Sequence, residues 1–143
     1  MRRFDVVALD ADDTLWHNET IFAAAQAELR TLLARYQDDK TIDARLLATE
    51  TRNLSHFGYG VKGFTLSMIE TAVELSDGHV TGAEIQRIVD LGRGMLAAPV
   101  ELLDGVRETV AALADHRLVL VTKGDLFDQE SKLARSGLGE SFS

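Results

Sequence analysis

Apolar and polar positions follow three regimes along the chain. The first is a short apolar run, Val6-Val7-Ala8-Leu9, flanked by Asp5 and Asp10. Unbroken, β-branched and only a few residues long, it predicts a strand buried in a parallel sheet. From about residue 17 to 98 the spacing becomes helical. Phe22, Ala25, Leu29, Leu32, Leu33 and Tyr36 form one stripe, closed by the polar break Gln37–Lys40. Thr41 is expected to cap a second helix running through Ile42, Leu46, Leu47, Glu50 and Leu54. A third, from about Thr65, turns Met68, Ile69, Ala72, Val73 and Leu75 inward and stops at Asp77-Gly78. Thr81-Gly82-Ala83-Glu84 has the pattern of a capping box. The fourth helix it opens carries Ile85, Ile88, Val89, Met95 and Leu96, and Pro99 lies just past its end. Then strand and helix alternate again. Asp104-Gly105-Val106 opens a helix through Val110 and Leu113, and Leu118–Val121 is a second buried-strand run. A last helix spans about Leu126 to Arg135, with Gly137 as its stop.

Composition narrows the setting. The chain has 143 residues, room for one ordinary domain or a small core with a modest insertion. Apolar residues make up 45% and charged residues 27%, as in soluble globular proteins. The net charge of 15 − 23 = −8 argues against non-specific nucleic-acid binding, which depends on Lys and Arg meeting phosphates. With no cysteine there is no disulfide and no thiolate chemistry. The apolar stretch after Met1-Arg2-Arg3 is too short for a signal peptide, and no run approaches a membrane span. The sequons at Asn18 and Asn53 therefore read as chance, and a cytoplasmic location is expected.

The chemistry concentrates at the end of the first strand. Asp10, Asp12 and Asp13 place three carboxylates within four residues, at the strand end where open α/β sheets hold ligands. Such density repels itself unless a positive group is present, and a divalent cation is the usual answer. A calcium loop starting at Asp10 is excluded, because its sixth and twelfth positions hold Leu15 and Ile21 instead of Gly and Glu. A solvated turn leading into a helix start remains as the plain alternative. The chemical reading makes Asp10 a nucleophile and Asp12 a general acid and base. Thr122-Lys123-Gly124, at the end of the second strand, suits phosphate binding through a hydroxyl and backbone amides. His17 reads as a surface or packing residue. The glycine-rich stretch Ser55–Phe64 follows a helix and is too irregular for a dinucleotide site. Its Lys62 and Tyr59 either face a substrate or sit in a packing connector.

The run Asp10-Ala11-Asp12-Asp13-Thr14-Leu15 after a hydrophobic strand resembles the first motif of the haloacid dehalogenase (HAD) superfamily, Asp-x-Asp-x-Thr/Val. Members that act on phosphate esters carry the second Asp, which members that displace halide generally lack, so Asp12 points to phosphoryl transfer. The order of elements supports the resemblance over essentially the whole chain. It implies an α/β fold, a Rossmann-like parallel sheet core with an inserted helical-bundle cap. The core would comprise residues 1–16 and 99–143, and the cap residues 17–98. Thr122 matches the phosphate-binding hydroxyl of the second motif, with the amide of Lys123 beside it. Mg2+ would be held by the Asp10 carboxylate and the Asp12 backbone carbonyl.

The implied activity is a Mg2+-dependent phosphohydrolase acting on a small phosphorylated metabolite through an aspartyl-phosphate. A phosphomutase, or a catalytically incomplete binding or oligomerising fragment, are the alternatives. Two family features find no match: a neutralising lysine and an acidic pair after a later strand. Lys132, the only lysine after Lys123, lies mid-helix. With two readable strands, the chain is expected to be the N-terminal part of a longer protein. Alone, it is expected to be inactive, and either unstable or self-associated.

Overall fold

The computed structural model describes residues 3–143. The chain divides into two compact units, one from the N-terminal residues through Thr20 with Pro99–Ser143, the other Ile21–Ala98. No helix among the described residues is long and apolar enough to cross a membrane. The whole is a mixed α/β fold with a Rossmann-type core and a helical region.

In the first unit, β1 (Val6–Asp10) and β2 (Arg117–Val121) pair in parallel, in register from Val6 opposite Arg117 to Asp10 opposite Val121. This register brings the residues that follow Asp10 and those that follow Val121 out at the same strand end. The expectation of a strand buried on both faces needs correction. Val7 and Leu9 pack against the cluster of Ala11, Leu15, Trp16, Val106, Val110, Leu118 and Leu138, whereas Val6 is 49% exposed. Along β1, Val7 and Leu9 thus turn toward this unit's core and Val6 and Ala8 away from it. The chain leaving this unit and the chain re-entering it are tied together. His17 N donates to Glu101 O (2.9 Å), and Leu103 N donates to Leu15 O (3.0 Å). Helix α5 (Val106–Ala112) starts after Gly105, which is left-handed at φ 81°. Helix α6 (Leu126–Arg135) is capped by Asp125, whose carboxylate accepts from Asp128 N, and Gly137 at φ 80° ends the turn beyond it.

The second unit is helical. α1 (Glu19–Leu33) enters it, followed by α2 (Asp39–Phe57), α3 (Val61–Leu75) and α4 (Gly82–Ala97). Leu29, Leu33, Ile42, Leu46, Phe64, Met68 and Ile88 form its core, with Phe22 and Phe64 edge to face at 4.9 Å. The capping box is present at Thr81 and Glu84. Two expectations shift. Asp38, not Thr41, caps α2: the Asp38 carboxylate accepts from Thr41 N, because a carboxylate placed one residue before the helix reaches the third free amide. α3 begins at Val61 instead of Thr65, because the glycines confine the break to three residues. Gly58 (φ 68°) and Gly60 (φ 117°) make the turn, after which the helix resumes at once.

Candidate active site

The loop after β1 separates the three carboxylates. Asp10, at the strand's last position, accepts from Thr14 Oγ1 at 2.9 Å. Asp13 is left-handed (φ 59°), a conformation that Asp tolerates better than most residues. This turns its carboxylate onto Asn18 N (2.9 Å) and Glu19 N (3.1 Å), the free amides where α1 begins. It is a helix cap. Asp12 points the other way, between the loop and α6. Its Oδ1 accepts from the Trp16 indole (2.9 Å) and from Lys132 Nζ (3.2 Å), and its Oδ2 accepts from Gln129 Nε2 (2.8 Å). Self-repulsion is thus relieved by separate protein donors. Among the described residues, no three acidic, histidine or cysteine side chains converge as a metal cluster.

Sequence reading placed Lys132 away from the site, but the structure brings it in. Its side chain is 8% exposed and also contacts Asp128 Oδ2 (3.7 Å) and Asn18 Oδ1 (3.2 Å). The reason is the phase of α6. Asp128, Gln129 and Lys132, at helical spacing, share its buried face, while Leu126 (71%) and Phe127 (76%) stand in solvent. Gln129 and Asp128 were likewise missed. Their i, i+1, i+4 pattern was visible, but polar residues are ordinarily read as an outer face.

Thr122 leaves β2 beside this cluster. Its Oγ1 accepts from Gly124 N (3.1 Å) and Gln129 Nε2 (3.2 Å), so its own hydrogen remains to donate elsewhere. Lys123 is exposed next to it. The remaining candidates lie in the helical unit. Tyr59, 51% exposed, lines a cavity of about 80 Å³ with Glu50, Asn53, Phe57 and Ser67. Lys62 is exposed on the first turn of α3, so the glycine-rich stretch Ser55–Phe64 is mostly helix, broken only at residues 58–60. Phe64 belongs to the helical core and also lines the cavity beside Tyr59. His17 is exposed.

The donor set allows a metal test. Mg2+ is held by one or two carboxylates, with waters and substrate phosphate completing its shell. Asp10, exposed at the strand end and restrained by Thr14 on one oxygen, fits that demand. The Asp12 carboxylate is occupied by three donors, which leaves its main-chain carbonyl as the group to offer.

A family model for haloacid dehalogenase-like hydrolase matches residues 4–143. Among solved structures, a HAD-like family hydrolase from Xanthomonas campestris is 51% identical, with a TM-score of 0.90 over 96% of this chain and 58% of that one. A HAD-hydrolase from Bacillus subtilis bound to magnesium is 19% identical, with a TM-score of 0.63 over 99% of this chain and 64% of that one. A predicted phosphoglycolate phosphatase from Haemophilus somnus is 18% identical, with a TM-score of 0.58 over 100% of this chain and 62% of that one. The latter two likenesses show the fold alone. This chain thus spans between 58% and 64% of the lengths of these three proteins. No curated protein matches it.

Proposed function

We propose, on the premise that the chain belongs to the haloacid dehalogenase-like hydrolase family, that its gene product is a Mg2+-dependent phosphohydrolase acting on a small phosphorylated metabolite. The observation that carries this reading is the Asp12 carboxylate, held by Trp16, Gln129 and Lys132 two residues after the exposed Asp10. Halide displacement needs no acid at that position; expulsion of an alkoxide from phosphorus does.

In this reading an Asp10 carboxylate oxygen attacks phosphorus in line, and the ester oxygen leaves with a proton from Asp12. A water then attacks the aspartyl-phosphate and gives its proton to Asp12, releasing phosphate and restoring Asp10. All three partners of Asp12 donate to it, which fixes the orientation of its carboxylate beside Asp10. Thr122 donates to a phosphate oxygen, with the Lys123 amide beside it. Lys132 supplies the positive charge that offsets Asp12 and the incoming phosphate. The Asp10 carboxylate and the Asp12 main-chain carbonyl would hold Mg2+, which when bound neutralises charge on the transferring phosphoryl group. Lys62 and Tyr59 are the cap residues proposed to touch substrate. Nucleic acid and membrane are not partners in this reading, and a cytoplasmic location suits a small phosphorylated substrate.

The test is a panel of phosphate esters and 2-haloacids given to the whole gene product with Mg2+. Inorganic phosphate should appear, Asp10→Asn should abolish its release, and Asp12→Asn should slow it by about 10²–10⁴. Transfer of the phosphoryl group to another position of the substrate would mark a mutase. Halide release without phosphatase activity would refute the reading.

A further inference from the structure

The side chain of Gln129 has a task that neither the Asp-x-Asp motif nor the phosphate loop explains. It is 3% exposed, and one amide nitrogen spans two chain segments, reaching Asp12 Oδ2 at 2.8 Å and Thr122 Oγ1 at 3.2 Å. We infer that Gln129 is a positioning residue that holds the Asp12 carboxylate and the Thr122 hydroxyl in one frame, and that Gly124 lacks a side chain to admit its amide. This rests on the roles given to Asp12 and Thr122 above.

Three observations support it. Asp12 follows β1 and Thr122 follows β2, so no short covalent path sets the distance between their side chains. Trp16 and Lys132 both bind Oδ1, leaving Gln129 as the donor on Oδ2 that fixes the rotation of the carboxylate. Second, a Cβ at position 124 would lie 2.3 Å from Gln129 Nε2 and 3.0 Å from its Cδ. The backbone at Gly124 is not left-handed, so conformation alone does not require glycine there. Its need is space, and Gln129 fills that space. Third, Gln129 Oε1 is buried with no hydrogen-bond partner among the described residues. An orphaned buried acceptor costs stability, and an apolar side chain of similar shape would avoid that cost. Glutamine here therefore fits an active-site role better than a packing role.

The experiment uses the whole gene product. Gln129→Leu should lose about 10–10²-fold in kcat per folded molecule, the scale of a small misplacement of a reacting group. The loss should be larger for an alkyl phosphate, whose leaving oxygen needs a proton, than for p-nitrophenyl phosphate, whose leaving group does not. In an Asp12→Asn background, Gln129→Leu should add little. Gly124→Ala should lower the melting temperature, and the same change in a Gln129→Ala background should not.

If Gln129→Leu lowers the melting temperature but leaves kcat per folded molecule unchanged, the inference is overturned while the proposed function stands. If the wild-type protein hydrolyses no phosphate ester, both fall together. Should Gln129→Leu fail to fold, Gln129→Ala decides by the same comparison: an unchanged kcat per folded molecule overturns the inference, and a loss that vanishes in the Asp12→Asn background supports it.

Discussion

Lys132→Met is the most informative single change in the core unit. Methionine keeps the buried stem and removes the charge. At 3.2 Å from Asp12 Oδ1, the ammonium gains roughly 5 kcal/mol of gross Coulomb attraction at an effective dielectric of about 20. Much of that is offset by the desolvation of three charged groups, so the intact cluster contributes little net stability. Breaking it is another matter. Asp128 (8% exposed) would lose the cation beside it, and Asp12 (28% exposed) would keep only neutral donors. Removing one partner of a fully buried pair costs about 3–5 kcal/mol, and the partial exposure of Asp12 brings the expectation to about 3 kcal/mol. In a protein of this size that lowers the melting temperature by about 10 °C. Thermal melting of the whole gene product by circular dichroism measures it. Lys132→Met/Asp128→Asn should recover part of the loss, because the second change removes the stranded charge. Two outcomes would refute the argument: Lys132→Met within about 2 °C of wild type, the small shift typical of a solvated surface charge, or a double variant no more stable than the single one.

Two further predictions concern the loop and the helical unit. Asp13→Ala should destabilise by about 1–2 kcal/mol, through loss of the bonds to Asn18 N and Glu19 N at a left-handed position, while kcat per folded molecule stays near wild type; a collapse of kcat would make Asp13 part of the chemistry. The Glu84 carboxyl is lowered from 4.5 to about 2, first by the Arg35 guanidinium, then by the Thr81 amide and the Tyr36 hydroxyl. A depressed folded-state value contributes stability that is complete above the unfolded value and lost as pH falls through the folded one. The helical unit should therefore weaken from about pH 5 down to pH 2, and Glu84→Gln should flatten that slope in acid melts; an unchanged slope would count against the Glu84 cluster.

Much of the fold was legible in the chain itself. Local rules place the strand end at Asp10, the Thr81–Glu84 capping box and the stop at Gly137, because each depends on neighbours a few residues away. The acidic triplet and the Thr122 loop stood out as candidates for the same reason: each is a short run at the end of an apolar strand. What those side chains do with one another was not legible. Sequence offers three equivalent carboxylates, and the backbone of one loop makes Asp10 an exposed group, Asp12 an inward one and Asp13 a cap. Nor could the approach of Lys132 and Gln129 to Asp12 be read, across separations of 120 and 117 residues. The usual reading of a helix assigns its apolar side to the interior, and α6 departs from it, with Phe127 in solvent and Lys132 buried beside the half-buried Leu133. Burial of a polar face is stable only when its partners wait on another segment. That match is a property of the assembled sheet and helix, so only the tertiary structure decides it.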